Sequence, residues 1–119
     1  MGEWNYEDGL PLVQIEIINP YNSKQTKKLA LVDSGSDWCS VPYELWNELN
    51  FFEIGLLELG TPTTGWTEVS YSWCYIILEN RKIPVELHYS YDDEVLIVRN
   101  LMKYFIITLD GINSRLEIK

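Results

Sequence analysis

Apolar and polar positions alternate through Leu12-Val13-Gln14-Ile15-Glu16-Ile17. A half-buried strand has this period of two, because successive side chains point to opposite faces. The run ends in Asn19-Pro20-Tyr21-Asn22-Ser23, a cluster of turn formers. A second run, Leu29-Ala30-Leu31-Val32, is continuously apolar and leads straight into Asp33-Ser34-Gly35-Ser36-Asp37. A buried strand is therefore expected to end by presenting a carboxylate on a turn. Ser40 to Leu49 has Pro42 at an early position and Leu45 and Leu49 four apart, which predicts a short amphipathic helix. Gly60-Thr61-Pro62-Thr63-Thr64-Gly65-Trp66 reads as a loop. After it, Val69 to Leu78 and Ile83 to His88 are rich in β-branched and aromatic residues, predicting two strands joined by Glu79 to Lys82. The last third predicts a strand from Val95, a short helix or turn near Asn100 to Met102, a strand from Phe105 to Leu109, a turn at Asp110-Gly111 and a final strand at Leu116 to Ile118.

This pattern is mostly β, with one or two short helices and no repeat or low-complexity tract. At 119 residues and 46% hydrophobic, the chain supports one core of ordinary domain size, so residues 1–119 are expected to form a single domain. The 18 acidic residues against 9 basic ones, a net charge of -9, argue against a phosphate-binding surface, and nucleic acid is not an expected partner. No apolar stretch approaches the about 20 residues needed to cross a bilayer. The start, Met1-Gly2-Glu3-Trp4-Asn5-Tyr6, carries neither an apolar leader nor the Ser or Thr of a myristoylation signal. With Cys39 and Cys74 the only cysteines and no Asn-x-Ser/Thr acceptor, a reducing, cytoplasmic setting without a membrane partner is expected.

A carboxylate at the end of a buried strand can activate water only if its protonation is controlled. Two carboxylates within a few ångströms cannot both ionise easily, so they share a proton, and one serves as base while the other serves as acid. The chain has one Asp-Ser-Gly; Asp110 is followed by Gly111 and Ile112 and does not repeat it. The second carboxylate must then come from a second copy.

The segment Leu31-Val32-Asp33-Ser34-Gly35-Ser36-Asp37 resembles the active-site turn of the retropepsins, the single-domain aspartic proteases of retroviruses and their cellular and microbial relatives. Downstream, Leu96-Ile97-Val98-Arg99-Asn100-Leu101-Met102 resembles the second signature of that family, and the likeness runs from about Leu12 to Ile118. Asp-Ser-Gly alone arises often by chance; the second motif in the right order within a short β-rich chain makes the pair informative. The resemblance implies a small closed acid-protease β-barrel, active as a two-fold homodimer that hydrolyses peptide or protein substrates without a cofactor or metal. Asp33 would be the catalytic residue. Ser34 would brace the two active-site turns across the two-fold axis, and Gly35 would let the substrate backbone approach. Ser36 and Asp37 follow on the same loop; Arg99 would pair with Asp37, and Asn100 would tie the last helix to the loop. Gly60, Thr61, Pro62, Thr63, Thr64, Gly65 and Trp66 would form the flap over the substrate, and the termini would help build the dimer sheet.

Two departures from the family pattern stand out. Val98 replaces a glycine, and a β-branched residue cannot reproduce a glycine's special dihedrals or close backbone approach. Ser36 adds a hydroxyl able to donate to the Asp33 carboxylate. Val98 sustains an alternative function, a catalytically silent domain of the same shape used for dimerisation or peptide binding. His88, the only histidine, reads as a strand-surface residue rather than a catalytic base, since no nucleophile motif accompanies it. Cys39 and Cys74 lack the spacing of a zinc site and read as buried thiols. Among the aromatic residues, Trp38 beside the turn and Trp66 at the flap are the candidates for touching substrate.

Overall fold

A computed structural model of the chain describes residues 2–61 and 65–119. Its elements in chain order are β1 (Gly2–Asn5), β2 (Leu12–Ile18), β3 (Gln25–Val32), β4 (Cys39–Pro42), α1 (Tyr43–Glu48), β5 (Gly55–Thr61), β6 (Gly65–Leu78), β7 (Arg81–Ser90), β8 (Val95–Ile97), α2 (Arg99–Met102), β9 (Ile107–Asp110) and β10 (Arg115–Ile118). Among the described residues no helix is long and apolar enough to cross a membrane.

Strands pair in the order β2-β3-β8-β4-β7-β6, and β6 returns to β2 through Glu16↔Ile77, Ile17↔Ile76 and Ile18↔Tyr75, which closes a six-stranded barrel. Closure removes the free edges that a small open sheet would expose. The alternation read along β2 is the reason the barrel fills: Val13, Ile15 and Ile17 point inward and are essentially inaccessible, and Ala30 and Val32 of β3 join them. Cys74, Ile76 and Leu78 of β6 and Ile83, Val85 and Leu87 of β7 supply the opposite wall. Cys39 and Cys74 are free, buried thiols, and burial pushes Cys39 up to about 12 and Cys74 well above the ordinary thiol range. Burial thus keeps both in the thiol form, the less nucleophilic one, at neutral pH.

Several boundaries differ from those the sequence predicts. The helix begins at Tyr43, because Ser40, Val41 and Pro42 belong to β4 and pair in parallel with His88, Tyr89 and Ser90 of β7. Pro42 becomes the residue that caps the helix. The β6–β7 connection shrinks to Glu79 and Asn80, both at positive φ (51° and 64°), while Arg81 and Lys82 already pair with Leu78 and Ile77. Two positive-φ residues match the twist of the flanking strands, as a two-residue hairpin requires.

Both ends of the described chain meet in a second sheet of order β1-β10-β9, beside the barrel. Leu116 and Ile118 of β10 are fully buried, and Gly2 to Asn5 pair antiparallel with Ile118 to Arg115. The termini thus build a sheet within one chain, and β10 has neighbours of its own chain on both edges. Asp110 sits in the β9–β10 turn, where it accepts hydrogen bonds from the Asn113 side chain (2.8 Å) and backbone N–H (3.0 Å). The Asn113 side chain, followed by its backbone N–H, holds the Asp110 carboxyl below the usual range. Asp110 is a turn cap, apart from the Asp33 loop.

Candidate active site

Asp33 follows directly on β3, and its position is fixed from below by the parallel pairing of β3 with β8. Val32 lies opposite Ile97, and the Asp33 N–H donates to the Ile97 carbonyl at 2.9 Å. The run Leu29 to Val32, expected to be a buried strand, is buried on one face only, through Ala30 and Val32, with Leu29 exposed on the other. Where it ends the backbone needs new polar partners, and the Asp-Ser-Gly-Ser turn supplies them locally. The Gly35 N–H donates to Asp33 Oδ1 (2.9 Å) and the Ser36 hydroxyl to Oδ2 (3.2 Å), so each carboxylate oxygen is oriented by the loop itself. The hydroxyl contact expected of Ser36 is therefore present. Ser34 is exposed.

Behind the loop, Arg99 opens α2 and holds the chain from Ser36 to Asp37. Its backbone N–H and its Nε both donate to the Ser36 carbonyl (3.2 and 3.3 Å), and its guanidinium pairs with Asp37 Oδ1 at 2.5 Å. Both side chains are largely exposed, and pairs of that kind contribute about 0 to 1 kcal/mol. Arg99→Ala is expected to lower stability by about 1 kcal/mol or less and to reduce turnover further than that loss explains, because the loop carrying Asp33 loosens. Thermal unfolding measured beside the rate of peptide cleavage checks this; unchanged values for both would remove Arg99 from the support of the loop.

Asn100 takes a different place from the one expected. Its Oδ1 accepts from the Cys39 thiol (3.1 Å) and its Nδ2 donates to the Glu86 carbonyl (2.9 Å), which ties α2 to β4 and β7 instead of to the turn. Val98 is fully buried, with φ -129° and ψ -171°. Extended backbone of this kind suits any residue, so the position needs no glycine and the side chain fills the core beneath α2.

The segment from Gly60 to Trp66 is also not simply a loop. Gly60 and Thr61 end β5, Gly65 and Trp66 begin β6, and the two strands form a hairpin arm through Gly55↔Tyr71 to Thr61↔Gly65; Pro62, Thr63 and Thr64 lie outside the described residues. Gly65 has φ 74°, which a side chain rarely adopts. Gly60 serves packing, since a Cβ there would lie 2.9 Å from the Trp66 ring, which crosses the strand opposite it.

Between this arm and the Asp33 loop runs a groove of about 350 Å³ lined by Gly35, Ser36, Asp37 and Trp38 on one side and Glu58, Leu59, Gly60 and Trp66 on the other, with Ser40, His88, Ser90, Asp92 and Leu96 between them. Both tryptophans singled out from sequence line it. His88, expected on a strand surface, is half-buried in this groove; burial lowers its pKa, and its Nδ1 lies 3.0 Å from the Tyr89 carbonyl. Alternation along β7 gave its face but not what lay opposite, because that depends on the parallel partner β4. Among the described residues no cluster of three or more His, Cys, Asp or Glu could hold a metal ion.

Solved structures of retroviral proteases superpose on this fold. An EIAV protease in complex with an inhibitor superposes with a TM-score of 0.59 over 80% of this chain and 86% of its own, at 17% identity. The protease of Simian Foamy Virus (mac) gives 0.56 over 78% and 92%, at 22% identity. The fold is retropepsin-like. A foamy viral protease-reverse transcriptase gives 0.62 at 19% identity, covering 82% of this chain but only 12% of that one, so the retropepsin-like unit is a small part of that larger protein. No family model and no curated protein sequence matches the chain. At these identities the retropepsin-like likeness is one of fold, and the chemistry rests on the residues of the site.

Proposed function

We propose that the chain is one half of an aspartic endopeptidase, with Asp33 from each of two copies forming the catalytic pair. The observation that carries this reading is the Asp33 carboxylate itself. Both of its oxygens are oriented by hydrogen bonds from its own loop, directly after β3 and beside a groove bordered by a hairpin arm. Such a carboxylate is positioned before any substrate arrives, as catalysis by preorganised groups requires.

In the proposed reaction, one carboxylate of the pair takes a proton from a water molecule whose oxygen attacks the scissile carbonyl carbon. The protonated partner stabilises the developing oxyanion, and a proton passes to the amide nitrogen as the C–N bond breaks. Extended peptide would lie between the loop and the hairpin arm, whose backbone offers strand-like hydrogen bonding to it. The silent-domain alternative drew its support from Val98, and a buried Val in ordinary extended backbone leaves the Asp33 loop undisturbed. Cleavage of a denatured protein, measured together with sedimentation at micromolar concentration, tests the reading. The expected result is hydrolysis by a dimer, lost on dilution as the dimer dissociates; a strictly monomeric particle that remains active at high dilution would refute the shared pair.

A further inference from the structure

The sheet beside the barrel has an open edge. Among the described residues β10 is paired on both sides, by β1 and by β9, whereas β9 has β10 as its single neighbour. Ile106 and Lys119 exchange both backbone hydrogen bonds, at 2.9 Å each. The alternation of an antiparallel ladder then turns the backbone groups of Thr108 and Asp110 toward β10 and those of Ile107 and Leu109 outward. Natural sheets blunt such an edge with Lys, Pro or a bulge. Here Ile106-Ile107-Thr108-Leu109 carries neither charge nor proline, and its register with β10 is unbroken. The other edge, β1, carries the charged Glu3, and its Trp4 is engaged by Glu79 at 2.8 Å. Side chains continue the contrast. Leu109 lies opposite Leu116 and Ile107 opposite Ile118, so all four share a face. Leu116 and Ile118 are fully buried, yet Leu109 is 47% exposed, because the packed row stops at β9. The same margin extends toward the site. The Tyr6 N–H donates to the Ser114 carbonyl in the β9–β10 turn, and the Val32 N–H, next to Asp33, donates to the Pro11 carbonyl. Ile112 in that turn and Leu10 beside Pro11 are both exposed apolar residues.

We propose that the second copy joins along β9: the two β9 edges pair antiparallel across the two-fold axis, and the three-stranded sheets of both copies become one continuous sheet without any exchange of end strands. The proposal deepens the peptidase reading above and rests on it, since a chain with one Asp33 holds half of a carboxylate pair. The outward backbone groups set the register. Ile107 of one copy lies opposite Leu109 of the other, which pairs every outward N–H and C=O of both residues and places Thr108 on the axis, opposite its own copy, as a non-hydrogen-bonded pair. Centring the axis on Ile107 or Leu109 instead would leave half of these groups unpaired. A two-fold that relates antiparallel strands runs perpendicular to their sheet. The face bearing Leu116 and Ile118, which packs against the barrel, is therefore the same face in both copies, and the two barrels flank the axis on one side of the joined sheet. The exposed part of Leu109 is then covered by Ile107 of the other copy. Charge favours the same place. Two copies of net charge -9 repel each other, and this edge brings no charged residue from Ile106 to Leu109. Asp110 comes opposite Ile106 rather than another acid, and its carboxylate is held by Asn113 of its own turn at 2.8 Å.

The test places a thiol on the axis. Thr108 is exposed, and the Cα atoms of a non-hydrogen-bonded antiparallel pair stand about 4.5 Å apart, within the span of a disulfide. Full-chain Thr108→Cys, oxidised at micromolar concentration, should give a covalently linked dimer as the main product on non-reducing electrophoresis. Glu3→Cys, exposed on the opposite edge, should stay largely unlinked, as should the wild type, whose Cys39 and Cys74 are buried. Charge gives a second readout. Thr108→Lys sets like charges against each other on the axis and should raise the dimer dissociation constant measured by sedimentation by about fivefold, whereas an equal mixture with Thr108→Glu should return to within about twofold of the wild type. Thr108 projects from an exposed face, so these changes leave the fold of each copy intact. A dimeric wild type whose Thr108→Cys form does not link, or whose Thr108→Lys and Thr108→Glu forms each dimerise as well as it does, overturns the β9 edge and leaves the shared Asp33 pair standing. Linking at Thr108 in a protein that cuts no peptide upholds the edge and overturns the peptidase reading. A wild type that is monomeric at every concentration overturns both.

Discussion

Asp33→Asn is expected to abolish peptide hydrolysis while leaving the chain folded. The substitution keeps the shape of the side chain: the amide oxygen can still accept from the Gly35 N–H, and the Ser36 hydroxyl, which now donates to Oδ2, can rotate to accept from the new NH₂ group. Stability should therefore change by about 1 kcal/mol or less, the range of one exchanged hydrogen bond. Activity behaves differently, because an amide can neither take a proton from water nor return one, and general acid–base catalysis contributes roughly 10²- to 10⁴-fold. Thermal unfolding and cleavage rates on the same preparation separate the two effects. A mixing experiment adds a test of the shared site. If equal amounts of wild type and variant exchange freely, about a quarter of the dimers carry two aspartates, and activity should fall to that fraction. Retention of half the activity would instead mean that each chain works alone.

Val98→Gly, which moves this chain toward the pattern of the family it resembles, should destabilise it by about 2 to 4 kcal/mol. Val98 is fully buried and belongs to the same core as Ile97 and Leu101. Deleting its side chain leaves a cavity, and glycine adds conformational freedom to the unfolded chain. No strain is released in return, since φ -129° and ψ -171° are already comfortable for valine. The carbonyl of Val98 also receives the first hydrogen bonds of α2, from Leu101 (3.0 Å) and Met102 (2.9 Å), so loosening here should spread to the helix that carries Arg99. Equilibrium unfolding in urea measures the effect. An unchanged or raised midpoint would show that the side chain contributes no packing and that the glycine of the family is the better residue here as well.

What was legible in the sequence was what local physics decides. The alternation of β2 follows from one face being wet and one dry; the apolar run of β3 implied burial on both faces, but only Ala30 and Val32 are buried, while Leu29 is exposed. The Asp33 turn follows from residues that satisfy their own backbone, as the Gly35 and Ser36 hydrogen bonds show. Pairing of Arg99 with Asp37 was implied by resemblance and is present. Of the hairpin arm only Val69 to Tyr71 were legible as strand; β5 and β6 from Gly65 to Glu68 have neither face fully buried, and no alternation marks a strand without a dry side. Ser40 to Pro42 carried a helix signal and became strand, since pairing with β7, and of Ser40 with β8, buries Ser40 and Val41, a long-range gain that outweighs local preference. The place of His88 in the groove, the turn of Asn100 toward β4 and β7, and the position of β9 at a sheet edge were likewise decided by tertiary structure. Each depends on which strand lies beside which and in what register, and pairings between residues far apart in sequence leave no periodic trace along the chain.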